Sequence, residues 1–193
     1  MDKALRVLRM LERMGREHFV PSIGPVKGEV LASVIKKHGA KNVLEIGTLF
    51  GYSAILMARL LPEGGRVVTL EMDEGVARIA RRNIEEAGLS RKIEVIVGDA
   101  LETIPRQTGI FDLLFIDGTK EEYLEYLRLA ERNLGKGAVV VADNVGIFEE
   151  QMLDYLEYVR SSGRYKSETV KVPLEFTEDV EDAMEVSVKV GDG

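Results

Sequence analysis

The feature of this sequence that most constrains its fold is the regular alternation of short apolar runs with longer amphipathic stretches. Each run is five or six residues long and rich in valine, isoleucine and leucine, which is typical of strands buried on both faces of a parallel sheet. The stretches among the runs carry apolar residues three and four positions apart, the spacing that gives a helix one buried stripe. This order of strand, helix and strand predicts an α/β fold with a mostly parallel sheet. The predicted strands are 42–46, 66–70, 92–97, 111–116 and 137–142, and the predicted helices are 52–61, 74–87, 121–134 and 148–161.

Both ends of the chain depart from this alternation. Segments 165–172 and 183–190 alternate polar and apolar residues and are separated by a loop that contains Pro173, so we expect an antiparallel strand pair at the edge of the sheet. Before the first strand, 3–14 and 28–38 have helical spacing and are joined by a hinge rich in proline and glycine. We expect these amino-terminal helices to cover the mouth of a site.

Residues at the predicted helix ends support the assignment. Asp73 stands directly before helix 74–87, where its side chain can accept a hydrogen bond from a free backbone N–H group. Gly88 and Gly135 follow helical patterns at positions where a left-handed residue commonly ends a helix.

Length and composition favour one domain over residues 1–193, since 45% of the residues are hydrophobic and 31% are charged. No apolar run approaches the roughly 18 to 20 residues needed to cross a bilayer, so we expect a cytoplasmic protein without a membrane partner. The formal net charge of −7 gives the chain no general attraction to nucleic acid. Because the chain has no cysteine, any metal must bind to oxygen or to histidine.

The sharpest local motif, residues 43–53, joins a predicted strand through a glycine-containing turn to the start of a helix. Gly47 lets a ligand approach the backbone, Gly51 lets the helix pack close to the strand, and Ser53 offers a hydroxyl in the first turn. The motif lacks the full dinucleotide fingerprint and the lysine of a phosphate-binding loop, which disfavours a pyrophosphate. With the carboxylate of Glu45 nearby, a cationic cofactor without phosphate fits better, although the glycines could serve packing alone.

The ends of the second and third predicted strands carry further acids. Glu71 stands about two dozen residues beyond the glycine turn, where doubly wound folds use an acid to bind ribose hydroxyls. Asp99, between Gly98 and Ala100, could accept a hydrogen bond from an adenine amino group, could cap the following turn, or could do both. Met72 could pack on a purine face. An adenosine moiety is the natural inference.

Polar side chains also end the fourth and fifth predicted strands. Asp117 follows the fourth strand, and Asp143 and Asn144 follow the fifth. If these strands are adjacent, three oxygen ligands meet at one point, and this set suits Mg²⁺. The alternative is that each residue caps a loop or a helix.

Lys120 stands three residues after Asp117, at the start of a predicted helix, where a cation is unfavourable to the helix dipole. Near a divalent cation, its amine would lose its proton more readily than in water and could remove a proton from a bound hydroxyl. The alternative is a solvated surface lysine.

The motifs together resemble those of the class I S-adenosylmethionine-dependent methyltransferases, in particular the metal-dependent O-methyltransferases that include catechol and caffeoyl-coenzyme A enzymes. Residues 116–120 and 142–144 resemble the two metal-ligand segments of that family and its catalytic lysine, in the same order. The likeness extends from about residue 21 to residue 190. It implies a Rossmann-like, doubly wound fold, methyl transfer to a hydroxyl oxygen, Mg²⁺ or another divalent cation, and a homodimer.

The resemblance also implies a location for the cofactor, S-adenosylmethionine. Residues 44–47 and 51–53 resemble the cofactor motif of the family, and 98–100 resembles its adenine-side turn. Lys27 and Gly28 resemble the entry to the cofactor site, so Ile23 is expected to border the methionine moiety. The residues expected to bind the cofactor are Ile23, Glu45, Gly47, Ser53, Glu71, Met72, Gly98, Asp99, Ala100 and Asp117.

The expected acceptor is a small molecule with two vicinal hydroxyls. Gly118 and Thr119 stand where catechol enzymes carry larger, ring-bearing residues, so the substrate pocket differs from theirs. Two alternatives stay open: a tRNA wobble hydroxyuridine as the acceptor within the same family, and an NAD-dependent oxidoreductase on the same fold.

Overall fold

The computed structural model describes residues 2–18, 20–175, 177 and 179–191. Its strands are β1 (Asn42–Ile46), β2 (Arg66–Glu71), β3 (Ile93–Val97), β4 (Phe111–Ile116), β5 (Leu134–Ala142), β6 (Tyr165–Pro173) and β7 (Glu181–Lys189). They form one seven-stranded sheet in the order β3-β2-β1-β4-β5-β7-β6. The first five strands are parallel to one another, whereas β7 runs antiparallel to both β5 and β6. The predicted fold, a mostly parallel sheet with an antiparallel carboxyl-terminal pair, is confirmed.

Helices cover both faces of the sheet, which explains why the central strands are apolar throughout. Val43 and Leu44 are neighbours on β1 and both are fully buried, yet they belong to core clusters on opposite faces, because successive strand side chains alternate. The first four helices pack on the face of Val43 and the last three on the face of Leu44. The helices are α1 (Lys3–His18), α2 (Gly24–His38), α3 (Tyr52–Leu60), α4 (Glu74–Glu86), α5 (Ala100–Thr103), α6 (Tyr123–Ala130) and α7 (Leu153–Ser161).

The predicted helix ends are partly confirmed. Asp73 caps α4, since its side chain accepts a hydrogen bond from Val76 N at 2.8 Å, and Gly88 is left-handed with φ +74°. The prediction for Gly135 is wrong: α6 ends earlier, and Gly135 lies inside β5. The cause is Leu134, which pairs with Phe111 of β4 and is buried, so the strand begins there.

Other boundaries also differ from the predictions. Helix α2 begins at Gly24 rather than at the predicted residue 28, because Pro25 suits the first turn of a helix. The predicted helix 148–161 begins only at Leu153, after a short 3₁₀ turn, and 3₁₀ turns also flank α6. The short helix α5 was not predicted.

The strand order reverses between β1 and β4: β2 and β3 follow on one side of β1, and β4 and β5 follow on its other side. In open α/β sheets, ligands bind in the crevice outside the carboxyl ends of the strands at this point. Among the described residues, no helix is both long enough and apolar enough to cross a membrane.

Candidate active site

A cavity of about 550 Å³ opens at the carboxyl ends of the central strands, within the range of small-molecule sites. The linker between α1 and α2 lines one side of it with Val20, Pro21 and Ser22, and α2 contributes Lys27, so the expected amino-terminal cover consists of the linker and α2. The cavity brings together most of the residues predicted from the sequence. Those that line it are Gly47, Glu71, Met72, Gly98, Ala100, Asp117, Lys120, Asp143 and Asn144.

The turn after β1 needs glycine at position 47. Gly47 has φ +98°, a conformation that side chains with a Cβ rarely adopt. A Cβ added there would lie 2.2 Å from the backbone carbonyl oxygen of Asp117, so the two strand ends approach each other only because the side chain is missing. With no side chain at position 47, the backbone beside the cavity stays accessible to a ligand.

The carboxylate of Glu71 is fixed by two backbone donors. Its Oε2 accepts a hydrogen bond from Leu49 N at 2.9 Å, and its Oε1 accepts one from Asp73 N at 3.0 Å. Each carboxylate oxygen has further acceptor capacity, so the group can also accept from two ribose hydroxyls. Met72 beside it is 64% exposed, which leaves its side chain free to cover a flat ring.

The three residues of the turn after β3 have different roles. Gly98 and Ala100 line the cavity. The side chain of Asp99 accepts from Leu101 N at 2.8 Å and caps α5, and Asp99 does not line the cavity. The structure thus contains the capping contact, and a hydrogen bond from adenine to Asp99 stays a prediction.

Glu45 does not line the cavity either. Its side chain is fully buried between β1 and α3, and neither carboxylate oxygen has a hydrogen-bond partner among the described residues. Burial raises the pKa of Glu45 to about 8, although the nearby hydroxyls of Ser53 and Thr69 act to lower it. Ser53 and Ile23 are buried and line a small adjoining cavity of about 20 Å³ next to Gly47.

All three predicted metal ligands line the large cavity, and Asp117 and Asp143 are linked through Lys120 and Tyr123. Asp143 is 2% exposed, and burial together with the negative charge of Asp117 raises its pKa. Asn144 has φ +60°, an uncommon backbone conformation for a residue other than glycine. Its Nδ2 donates to Asp182 Oδ2 at 2.9 Å, which leaves the amide oxygen as the end available to a cation.

Two carboxylates and an amide oxygen form a ligand set that fits Mg²⁺, which usually keeps several waters. Among the described residues, no three acidic or histidine side chains are grouped so as to hold a metal ion, so this site depends on the amide of Asn144.

Lys120 is held beside the predicted metal ligand Asp117 by two hydrogen bonds. Its Nζ donates to Asp117 Oδ1 at 3.0 Å and to the hydroxyl oxygen of Tyr123 at 2.8 Å. The hydroxyl of Tyr123 in turn donates to the backbone oxygen of Asp143 at 3.2 Å. Tyr123 was not predicted, although its position one helical turn after Lys120 is a signal that sequence reasoning could have used.

Sequence reasoning also missed the role of Lys27, a buried lysine of α2. Its Nζ lies 2.7 Å from Asp143 Oδ1 and 2.6 Å from Asp182 Oδ2. Burial acts to lower the pKa of Lys27, but the two carboxylates outweigh it and raise this pKa. Burial likewise acts to raise the pKa of Asp182, and the hydrogen bonds from Lys27, the backbone of Ile147 and Asn144 lower it. The Lys27–Asp182 pair is therefore ionised.

Glu175, also not predicted, lines the cavity and comes from the carboxyl-terminal part of the chain. Its carboxylate accepts from the backbone N–H of Lys27 at 3.2 Å, near the start of α2. Among the described residues, the side chains that line the cavity include four carboxylates and two lysines. This negative balance repels a diphosphate and suits a cationic ligand.

Comparisons with known proteins identify the family of the chain. A sequence profile of the O-methyltransferase family matches residues 4–193. Catechol O-methyltransferase B of Danio rerio is 44% identical over 177 residues, a match that covers 88% of this chain and 66% of that protein. The chain thus spans about two thirds of the length of that relative.

Solved structures give the same result. The O-methyltransferase of Bacillus cereus in complex with SAH superimposes with a TM-score of 0.84 and 30% identity, over 98% of this chain and 91% of that one. The O-methyltransferase TomG of Streptomyces achromogenes, in complex with SAM, gives a TM-score of 0.85 and 28% identity over 96% of this chain and 90% of its own. From the family profile, these relatives and the shared fold it follows that the chain belongs to the O-methyltransferase family, as its motifs indicated.

Proposed function

We propose that this protein transfers a methyl group from S-adenosylmethionine to one hydroxyl oxygen of a small aromatic vicinal diol, and that it requires Mg²⁺. The observation that carries the proposal is that the metal-ligand set and Lys120 line the same cavity as Glu71. A diol acceptor and a cofactor can therefore meet in one space. The name of the Danio rerio relative, a catechol O-methyltransferase, supports a catechol-like acceptor.

The residues at the β1 and β2 end of the cavity would bind the cofactor. Glu71 would accept hydrogen bonds from the ribose hydroxyls, and Gly47 would let the methionine part approach the backbone. S-adenosylmethionine supplies an electrophilic methyl group on a sulfonium, and its transfer leaves a neutral thioether. The acidic lining favours this cation over the diphosphate of NAD, which counts against the oxidoreductase alternative.

Asp117, Asp143 and the amide oxygen of Asn144 would hold the divalent cation. When bound, the cation would supply Lewis acidity that lowers the pKa of an acceptor hydroxyl in contact with it. The three side chains also fix where a diol can lie, and orienting the acceptor toward the methyl group removes an entropic part of the barrier.

Lys120 would act as the base. Its Nζ is held by Asp117 and Tyr123 and lies beside a metal ligand, so in its neutral amine form it would accept the proton that the hydroxyl loses and become an ammonium. Phe148, whose ring centroid is 5.9 Å from Lys120 Nζ, would pack against an aromatic acceptor.

Binding and product analysis together test this function. Isothermal titration should give binding of S-adenosylmethionine and none of NAD. Mass spectrometry should then detect a monomethylated diol and no methylated tRNA. Methylation of purified tRNA without methylation of diols would favour the tRNA alternative, and binding of NAD alone would favour the oxidoreductase. A cytoplasmic location and a homodimer remain predictions from the sequence.

A further inference from the structure

Asp182 lies on β7, and its carboxylate accepts hydrogen bonds from the loop that follows β5. Its side chain is fully buried. Its Oδ1 accepts from the backbone N–H groups of Gly146 at 3.2 Å and Ile147 at 3.0 Å, and its Oδ2 accepts from Lys27 Nζ at 2.6 Å and Asn144 Nδ2 at 2.9 Å. Three of these partners, the two backbone N–H groups and the Lys27 ammonium, can only donate, so both oxygens of this carboxylate act as acceptors.

This requirement decides which way the amide of Asn144 faces. A primary amide has a donating end and an accepting end of nearly equal size, so shape alone does not choose between them. Facing Asp182, the NH₂ end makes a charge-assisted hydrogen bond, whereas the oxygen end would lie against a negative oxygen in a buried position. The amide oxygen is therefore left for the cavity side.

The same carboxylate is also linked to a second proposed metal ligand. Lys27 bridges Asp182 Oδ2 and Asp143 Oδ1 with contacts of 2.6 and 2.7 Å. One buried side chain on β7 is thus connected to both ligands that follow β5, although it lies far from them in the sequence.

We propose that Asp182 is a positioning residue for the divalent cation: it fixes Asn144 with its amide oxygen toward the cation. This inference rests on the Mg²⁺ site of the proposed function. The competing explanation is that Asp182 serves only to hold the 144–147 loop through its backbone bonds. The two explanations make different predictions for the Asn144→Asp variant, in which the side chain of residue 144 ends in two oxygen atoms and has no N–H donor.

The test is a double-mutant cycle on Mg²⁺ affinity, measured by titration calorimetry with MgCl₂ alone. In the native background, Asp182→Asn should weaken Mg²⁺ binding about tenfold or more, which corresponds to roughly 1.4 kcal/mol. In the Asn144→Asp background, the same substitution should strengthen Mg²⁺ binding, because the amide of Asn at 182 then donates to a carboxylate at 144. Asp182→Asn removes one negative charge in both backgrounds, so the loss of its long-range attraction for Mg²⁺ is the same in both, and a change of sign reports the contact between residues 182 and 144.

Controls separate positioning from folding. Asp112 also accepts two backbone N–H bonds, from Lys41 at 2.9 Å and Asn42 at 2.8 Å, but at the opposite end of the sheet. Asp112→Asn should leave Mg²⁺ affinity within about twofold of the native value. Binding of S-adenosylhomocysteine should be unchanged in every variant.

Weakening by Asp182→Asn in both backgrounds, or no weakening in the native one, would overturn the inference and leave the proposed function intact. Absence of Mg²⁺ binding by the native protein would overturn both.

Discussion

The ammonium of Lys27 lies 2.7 Å from the carboxylate oxygen Oδ1 of Asp143, and both side chains are almost completely buried. Lys27 comes from the second helix and Asp143 from the end of the fifth strand. The pair therefore joins the amino-terminal cover of the cavity to the proposed metal site, and it offsets negative charge where acidic side chains converge.

Removing this ammonium should destabilise the protein. In Lys27→Met, two buried carboxylates lose their shared cation, and breaking a buried pair in this way typically costs about 3–5 kcal/mol. Urea denaturation without metal should give a free energy of unfolding lower by about that amount. The exposed pair Lys171–Glu181, at 2.8 Å, provides the matched control, and Lys171→Met should leave the unfolding midpoint nearly unchanged. Equal midpoints for the two variants would contradict the role assigned to Lys27.

Glu45 should make stability depend on pH in the absence of cofactor. Its pKa is about 8 in the folded protein against an ordinary value of 4.5. Between these values the unfolded chain releases the proton while the folded chain retains it, so stability falls as pH rises through this window. Glu45→Gln removes this penalty, and its stability relative to the native protein should increase by about 3 kcal/mol from pH 5 to pH 8. Chemical denaturation at the two pH values measures this difference, and a constant difference would show that Glu45 ionises normally.

Gly47→Ala should weaken cofactor binding. The new methyl group would meet the carbonyl oxygen of Asp117 at 2.2 Å, so the turn beside the cavity must move. We expect the dissociation constant of S-adenosylmethionine, measured by calorimetry, to rise at least about tenfold. Gly39 is also left-handed, with φ +64°, but among the described residues no atom beyond its chain neighbours lies within 4 Å of a Cβ added there. Gly39→Ala should therefore carry the backbone strain without the loss of binding, and similar losses in both variants would contradict a local effect.

Lys120→Ala should lower kcat and leave the binding of S-adenosylmethionine unchanged. Loss of a positioned base commonly costs about 10²–10⁴ in rate. Steady-state assays with an aromatic diol measure kcat, and calorimetry measures cofactor affinity. The exposed Lys136 supplies the control, since Lys136→Ala should behave as the native protein does. A Lys120→Ala variant with native kcat would exclude Lys120 as the base.

The fold was predictable because local patterns report it. Strands buried on both faces read as apolar runs, and polar residues such as Asp117 and Asp143 stand out where those runs end. The boundary between the sixth helix and the fifth strand was not predictable in this way, because Leu134 begins the strand through its pairing with Phe111. That pairing involves residues distant in the sequence.

The supporting residues of the site were harder to predict for the same reason. Lys27 and Asp182 are 155 residues apart, and neither belongs to a motif that indicates their contact. Glu45 shows the opposite difficulty: its motif is clear, but the alternation of β1 directs the side chain into the core rather than into the cavity.

The most direct test of metal-dependent methyl transfer is a reaction of S-adenosylmethionine with an aromatic vicinal diol. Mass spectrometry measures the methylated product before and after EDTA treatment. We predict that EDTA abolishes formation of the monomethylated product and that added Mg²⁺ restores it. Full activity in excess EDTA would contradict the role given to Asp117, Asp143 and Asn144.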